Sequence, residues 1–449
     1  MADALLEPLF GASAMQAIFS ARGRLQGMLD FEAALARVQA RLGLIPAAAA
    51  ERIAACCRAE RFDLEALGRD ALPAGNTAIP MVRHLTRIVG GQDAAAAAHV
   101  HFGATSQDAM DTGLVLQVRA ALDWMQPRLD RLADAAAEQA GRHRETVLPG
   151  RTWLQHALPI PFGLKAAGWL DALDRHRARM DEIRPRALAL QFGGAAGTLA
   201  SLHPHGPAVA AGLAAELGLA LPALPWHTHR DRIAELGATL ALLVGTLGKI
   251  ARDVSLLMQS EVGEAAEPSA PGRGGSSSMP QKRNPVSCAV VLGAAVRAPG
   301  LAATLLSSMV QEHERGLGGW HAEWPVLPEL FDLAAGALEH THGIVAGLEV
   351  DAARMRANLD ATQGQLFAEA VKIALAPHLG APQAHALVEQ ACRTATAGRR
   401  HLRDVLGADA QVRGILPGAA LERLFDPVRA LGAGAELIDA ALAAHRRRR

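Results

Sequence analysis

The densest chemistry in the chain lies in ten consecutive residues, Gly275-Ser276-Ser277-Ser278-Met279-Pro280-Gln281-Lys282-Arg283-Asn284. Three hydroxyls, an ammonium and an amide follow a glycine hinge. Backbone N–H groups beside glycines form an anion-binding nest, and Lys282 adds a compact point charge. Such a loop suits a carboxylate that gains negative charge as it reacts. The bland alternative is a Gly/Ser linker, but Met-Pro followed by Lys-Arg-Asn-Pro is too structured a continuation for one. A second polar cluster, Thr105-Ser106-Gln107-Asp108, has the spacing of a helix cap with an acidic first turn. Arg315, in Glu312-His313-Glu314-Arg315, is either a surface ion pair or a cation for a substrate carboxylate. His99, His101, His156 and His229 read as structural or solvated. With no tyrosine in the chain, no phenol can act as acid or base.

Helices must position these groups. Leu236, Leu240, Leu243, Leu247, Ile250, Val254 and Leu257 step by fours and threes, an apolar seam that predicts a helix of roughly 30 residues. A second seam runs through Val118, Leu122, Met125, Leu129, Leu132 and Ala136, with a kink expected at Pro127. A third tract starts at Phe162 and should end before Pro185. Strand signals are poor. The reading is all-α: an N-terminal helical domain over 1–110, a central bundle of long helices over 111–350 and a C-terminal helical domain over 351–449. The flexible stretch from Glu267 to Ser278 interrupts two helical tracts, as a lid or binding segment would.

Composition narrows the function. Lys+Arg 45 cancels Asp+Glu 45, which argues against nucleic-acid or membrane-surface partners. Only four of those cations are lysine. Half of the 449 residues are apolar, enough for a large core. Cys56, Cys57, Cys288 and Cys392 lack zinc-site spacing and read as reduced thiols. With no signal peptide and no uncharged membrane-spanning run evident, a cytoplasmic protein is expected.

The ten-residue loop matches the fumarase/aspartase superfamily signature G-S-S-x-M-P-x-K-x-N at every specified position. Gly103-Ala104-Thr105-Ser106-Gln107-Asp108, Gly150-Arg151-Thr152-Trp153-Leu154-Gln155-His156-Ala157 and Gln191-Phe192-Gly193-Gly194-Ala195-Ala196-Gly197 resemble further regions of it. The resemblance implies a homotetramer around a central helical bundle, with active sites shared between subunits and no cofactor or metal. It also implies a set of roles. Ser276 would exchange a proton α to a carboxylate, and Lys282 and Asn284 would stabilise the aci-carboxylate. Thr105 and Ser106 would grip a substrate carboxylate, with Arg151, Trp153, Gln155, Ser277 and Arg315 lining the substrate site.

Two linked positions depart from the superfamily's lyases. Those enzymes resemble R-T-H in the second region, with a glutamate five residues past the loop asparagine. Here the positions hold Trp153 and Ala289. An expelled amine or hydroxide needs a proton, whereas an opened lactone leaves as a carboxylate whose conjugate acid has a pKa of about 4. A lactone-forming enzyme can therefore dispense with that pair. The segments around Arg151, Pro225-Trp226-His227 and Glu312–Trp324 look like the bacterial 3-carboxy-cis,cis-muconate cycloisomerases. The resemblance thus implies a tricarboxylate substrate; a fumarate-releasing lyase of the adenylosuccinate or argininosuccinate type is the alternative. Whether Ser276 or Lys282 delivers the proton stays open.

Overall fold

The structure, a computed structural model, describes residues 5–270, 272–276 and 278–448. It is all-α, with 20 α-helices among the described residues and only short strands. Six long helices dominate: α1 (Ala21–Arg41), α2 (Ser106–Arg142), α3 (Phe162–Ala187), α4 (Asp231–Leu257), α5 (Val286–Ser307) and α6 (Gly319–Ala346). The seven residues of the first seam all lie on α4, none more than 4% exposed. Burying each such side chain contributes about 1.5–3 kcal/mol, which explains why the seam is unbroken. The second seam is equally buried on α2, and that helix continues through Pro127. On α3 the helix runs to Ala187, past the Pro185 where the sequence suggested an end. The helix absorbs the loss of the one N–H bond that Pro185 cannot make.

The chain divides into two compact units. One comprises residues up to 129 with 176–248 and 290–339; the other comprises 130–175, 249–289 and 340–449. In the first unit α1 crosses α2 at two glycines. A Cβ on Gly27 would lie 2.6 Å from the Gly113 carbonyl oxygen, so only glycine permits this approach. The crossing sets the N-terminal end of α2 beside Glu32 and Gln39 of α1, which bond His101 and the Phe102 carbonyl. In the second unit a separate core gathers Leu359, Phe367, Val371, Leu375, Val388, Leu402, Leu406 and Phe425.

That second unit also holds an antiparallel hairpin, β1 (Val147–Thr152) and β2 (Gln155–Pro161), where strand signals were weak. Three prolines and few alternating apolar residues hide it in the sequence. Its two-residue turn, Trp153-Leu154, has φ of 51° and 63°, the left-handed pair that matches the twist of a hairpin. By length and composition α4 and α5 could each cross a membrane. Most of the apolar window of α4 is buried in the protein, whereas α5 leaves Val296 82% and Leu306 51% exposed.

Candidate functional site

In the first unit, Thr105 and Ser106 begin α2, and their positions are set by Asp108 one turn on. The fully buried Asp108 carboxylate accepts from Thr105 N–H (3.1 Å), Gly193 N–H (3.0 Å), Gly194 N–H (2.9 Å) and Gln191 Nε2 (3.1 Å). His227 Nε2 lies 2.9 Å from the same group. Five partners from three chain segments thus converge on one anion, so the Gly193–Gly194 turn is tied to the start of α2. This arrangement turns the Thr105 and Ser106 hydroxyls toward Arg315: Nη1 donates to Thr105 Oγ1 at 2.9 Å and Nη2 to Ser106 Oγ at 3.4 Å. Among the described residues no carboxylate pairs with Arg315. Burial pulls its pKa down, and the more distant charges of Asp108 and Asp111 only partly oppose that. A guanidinium fork, two hydroxyls and a helix N-terminus together make a seat for a carboxylate.

Behind this seat lies a second buried network. Arg230, 1% exposed, donates to both oxygens of Asp111 (2.7 and 3.1 Å) and both of Glu323 (3.0 and 2.5 Å). Trp320 Nε1 adds a bond to Asp111 at 3.0 Å. Burial would pull the guanidinium's pKa down, but the two carboxylates more than offset it and hold Arg230 charged. The network ties α2, the start of α4 and the start of α6 together, and α6 begins four residues after Arg315. His101, at φ 60°, places Nδ1 2.5 Å from the buried Glu32 carboxylate, three residues ahead of Ala104-Thr105. Burial lowers its pKa, yet the charge and hydrogen bond of Glu32, with the charge of Asp108, raise it overall.

In the second unit the signature loop is pinned at its base and open in its middle. Asn284 N–H donates to Gly274 C=O at 2.8 Å, and Asn284 Nδ2 reaches the carbonyls of Gly274 and Gly275 at 3.2 and 3.3 Å. Gly274 has φ 69°, and a Cβ there would meet the Asn284 carbonyl at 2.8 Å, so closure of the loop requires glycine. Ser276 Oγ accepts from Met279 N–H (3.2 Å) and Ser278 N–H (3.4 Å). Lys282 is exposed and has no acidic partner among the described residues. Ser277 lies outside the described residues. Arg283 anchors the far side through Glu349 (2.8 Å), whose carboxyl Arg283 and the Ser269 N–H hold down at about 2. Beneath the loop, the buried Glu267 accepts from Ser287 N–H (3.2 Å) and Cys288 N–H (2.7 Å) at the start of α5. A cavity of about 1020 Å³ adjoins Met279, Lys282 and Asn284, with Ser255, Gln259 and Glu349 among its other walls.

The hairpin carries the remaining sequence candidates. Arg151 is engaged by Glu264, with bonds of 2.8 and 2.6 Å, and Glu264 is wholly buried and also held by Asn358 Nδ2 at 2.7 Å. Its fork is therefore already occupied, so Arg151 positions the hairpin. Trp153 is 97% exposed at the turn, and Gln155 beside it is exposed too. Burial and the Arg151 charge lower the His156 pKa, with the charge of Glu264 partly opposing them. Sequence reasoning singled out Thr105, Ser106 and Arg315, which the structure brings into contact, and missed the groups that hold them. The Thr105-to-Asp108 cap spacing pointed to Asp108, but no local pattern links Arg230 with Glu323 or Arg151 with Glu264.

The family profile described as "Lyase" matches residues 10–300, and that of "Adenylosuccinate lyase C-terminus" matches residues 364–441. A 3-carboxy-cis,cis-muconate cycloisomerase of Pseudomonas aeruginosa is 58% identical over 99% of this chain and 97% of its own. One from Pseudomonas putida is 55% identical over 94% of this chain and 100% of its own. The crystal structure of the 3-carboxy-cis,cis-muconate lactonizing enzyme of Pseudomonas putida superposes with a TM-score of 0.94 at 54% identity, covering 99% of both chains.

Proposed function

The chain belongs to the fumarase/aspartase lyase family, and on that premise we propose that it interconverts 3-carboxy-cis,cis-muconate and its lactone. The carrying observation is whole-chain similarity to cycloisomerases at 58% identity. It is joined by an indole at position 153 where a leaving-group acid would otherwise stand.

The chemistry is an intramolecular addition. An oxygen of one substrate carboxylate forms a C–O bond to the alkene carbon β to a second carboxylate. The displaced π electrons move into that second carboxylate as an aci-form, and a proton then joins the α carbon. Ser276 or Lys282 supplies the proton, while Lys282 and the Asn284 amide face the growing charge. Each well-placed donor at such a centre contributes a few kcal/mol. Arg315, Thr105 and Ser106 hold a carboxylate that does not react. In reverse, the α proton is removed and the lactone oxygen departs as a stable carboxylate. No step requires a cofactor or a metal.

We place the reaction in the cytoplasm and in a homotetramer whose active sites are each completed by more than one subunit. The bare Trp153-Leu154 turn and the apolar face of α5 support that assembly, since apolar surface of this kind is normally covered. The test is optical. Enzyme added to 3-carboxymuconate removes the conjugated-diene absorbance; fumarate released from adenylosuccinate or argininosuccinate instead transfers the assignment to the eliminating lyases.

A further inference from the structure

Within the first unit, a cavity of about 350 Å³ opens between α1 and the helix Leu64–Ala74. Phe19, Leu25, Met28, Leu64 and Leu67 make its walls apolar, and the only charged group among its lining residues is Arg24. Arg24 is half-buried, and its Nη2 donates to the Trp324 carbonyl at 3.1 Å. Among the described residues it meets no carboxylate. Burial pushes its pKa down. Asp111 borders the adjoining recess, but both of its oxygens are taken, by Arg230, Gln107 and Trp320. A guanidinium removed from water without a counter-charge is costly, and an anion that enters the cavity recovers that cost.

We propose that this cavity is a second ligand site, for a monocarboxylate carried on an apolar, ring-sized body. The volume lies within the range of small-molecule sites. One cation in apolar walls selects one negative charge. A tricarboxylate would leave two charges against Phe19, Leu25 and Leu67, so the proposed substrate is excluded. None of the lining residues belongs to the Thr105, Ser106 and Arg315 cluster or to the signature loop. Thr77 lines the cavity just ahead of the helix Ala78–Gly90, so an occupant would rest against the turn that begins that helix.

The test titrates the full-length protein with 3-phenylpropionate and with its neutral amide, by calorimetry. The acid should bind at least about tenfold tighter than the amide, as a charge-assisted pair requires. Arg24→Leu should abolish that preference while still binding the amide, and its ligand-free melting temperature should equal or exceed that of the parent. Arg315→Met should leave the preference intact, which separates this cavity from the carboxylate seat at Thr105. Leu67→Trp, which fills the space, should remove binding of both compounds. Equal affinity for acid and amide, no binding of either, or a preference that survives Arg24→Leu would each overturn the proposal.

Discussion

In the reaction proposed above, the Thr105–Arg315 seat and the Ser276–Asn284 loop would each meet a carboxylate, yet they are built in opposite ways. The seat rests on buried, saturated electrostatics: five partners on Asp108, and Arg230 locked between Asp111 and Glu323. Among the described residues the loop is fixed at its base, by the Gly274–Asn284 bond and by Arg283 on Glu349, with Ser276 lightly held and Lys282 in solvent. A carboxylate that keeps its charge through the reaction can be held by a rigid site at no disadvantage. Charge that appears only at the transition state is better met by groups that close on it, since binding both states equally does not speed the step. Under the proposed function, the contrast would be a division of labour, binding at the seat and chemistry at the loop.

The sharpest way to break this contrast is to unlock the seat. Arg230→Met leaves Asp111 and Glu323 buried without their shared cation, and removing one partner of such a network costs about 3–5 kcal/mol. Urea unfolding should show that loss; a midpoint that does not move would mean the network is incidental. The loop should answer in the reverse sense. Ser276→Ala and Lys282→Met should each lower kcat by at least about 10²-fold. Both residues are lightly held or exposed, so the melting temperature should stay where it was. Arg315→Lys is the intermediate case. It keeps the charge and gives up the fork, so KM should rise about tenfold with kcat changed less. A fall confined to kcat would move Arg315 from binding to chemistry.

Much of this contrast can be read in the sequence because its carriers are local. The heptad leucines of α4 are spaced by the helix itself, and the ten-residue loop holds its chemistry in one stretch. Thr105 and Asp108 are likewise one helical turn apart. What escapes the sequence is non-local pairing. Arg230 meets Asp111 from 119 positions away, and Arg151 meets Glu264 from 113. Arg151 read as a free grip for substrate because nothing nearby in the chain announces its partner. The hairpin was hidden for a different reason: prolines at 149, 159 and 161 suppress strand propensity, and its pairing overrides that.

The smallest predicted effect tests whether the seat's electrostatics reach one layer further out, to His101 and Glu32. Burial alone would lower the imidazole's pKa, but the Glu32 carboxylate and the charge of Asp108 leave it raised in the folded protein. A raised folded-state value means that the proton is bound more tightly when folded than when unfolded. The pair's contribution is then complete below the unfolded value of about 6.5 and fades as pH climbs through the folded one. His101→Gln, which can donate to Glu32 without carrying charge, should therefore be less stable than the parent at about pH 6 and approach it at about pH 9. The same pH-dependent gap should persist in a Ser276→Ala background, because the exposed loop contributes nothing to it. A gap that stays constant across that range would show that folding leaves the His101 pKa unshifted, and the fixed charge of the seat would then end at Asp108 and Arg315.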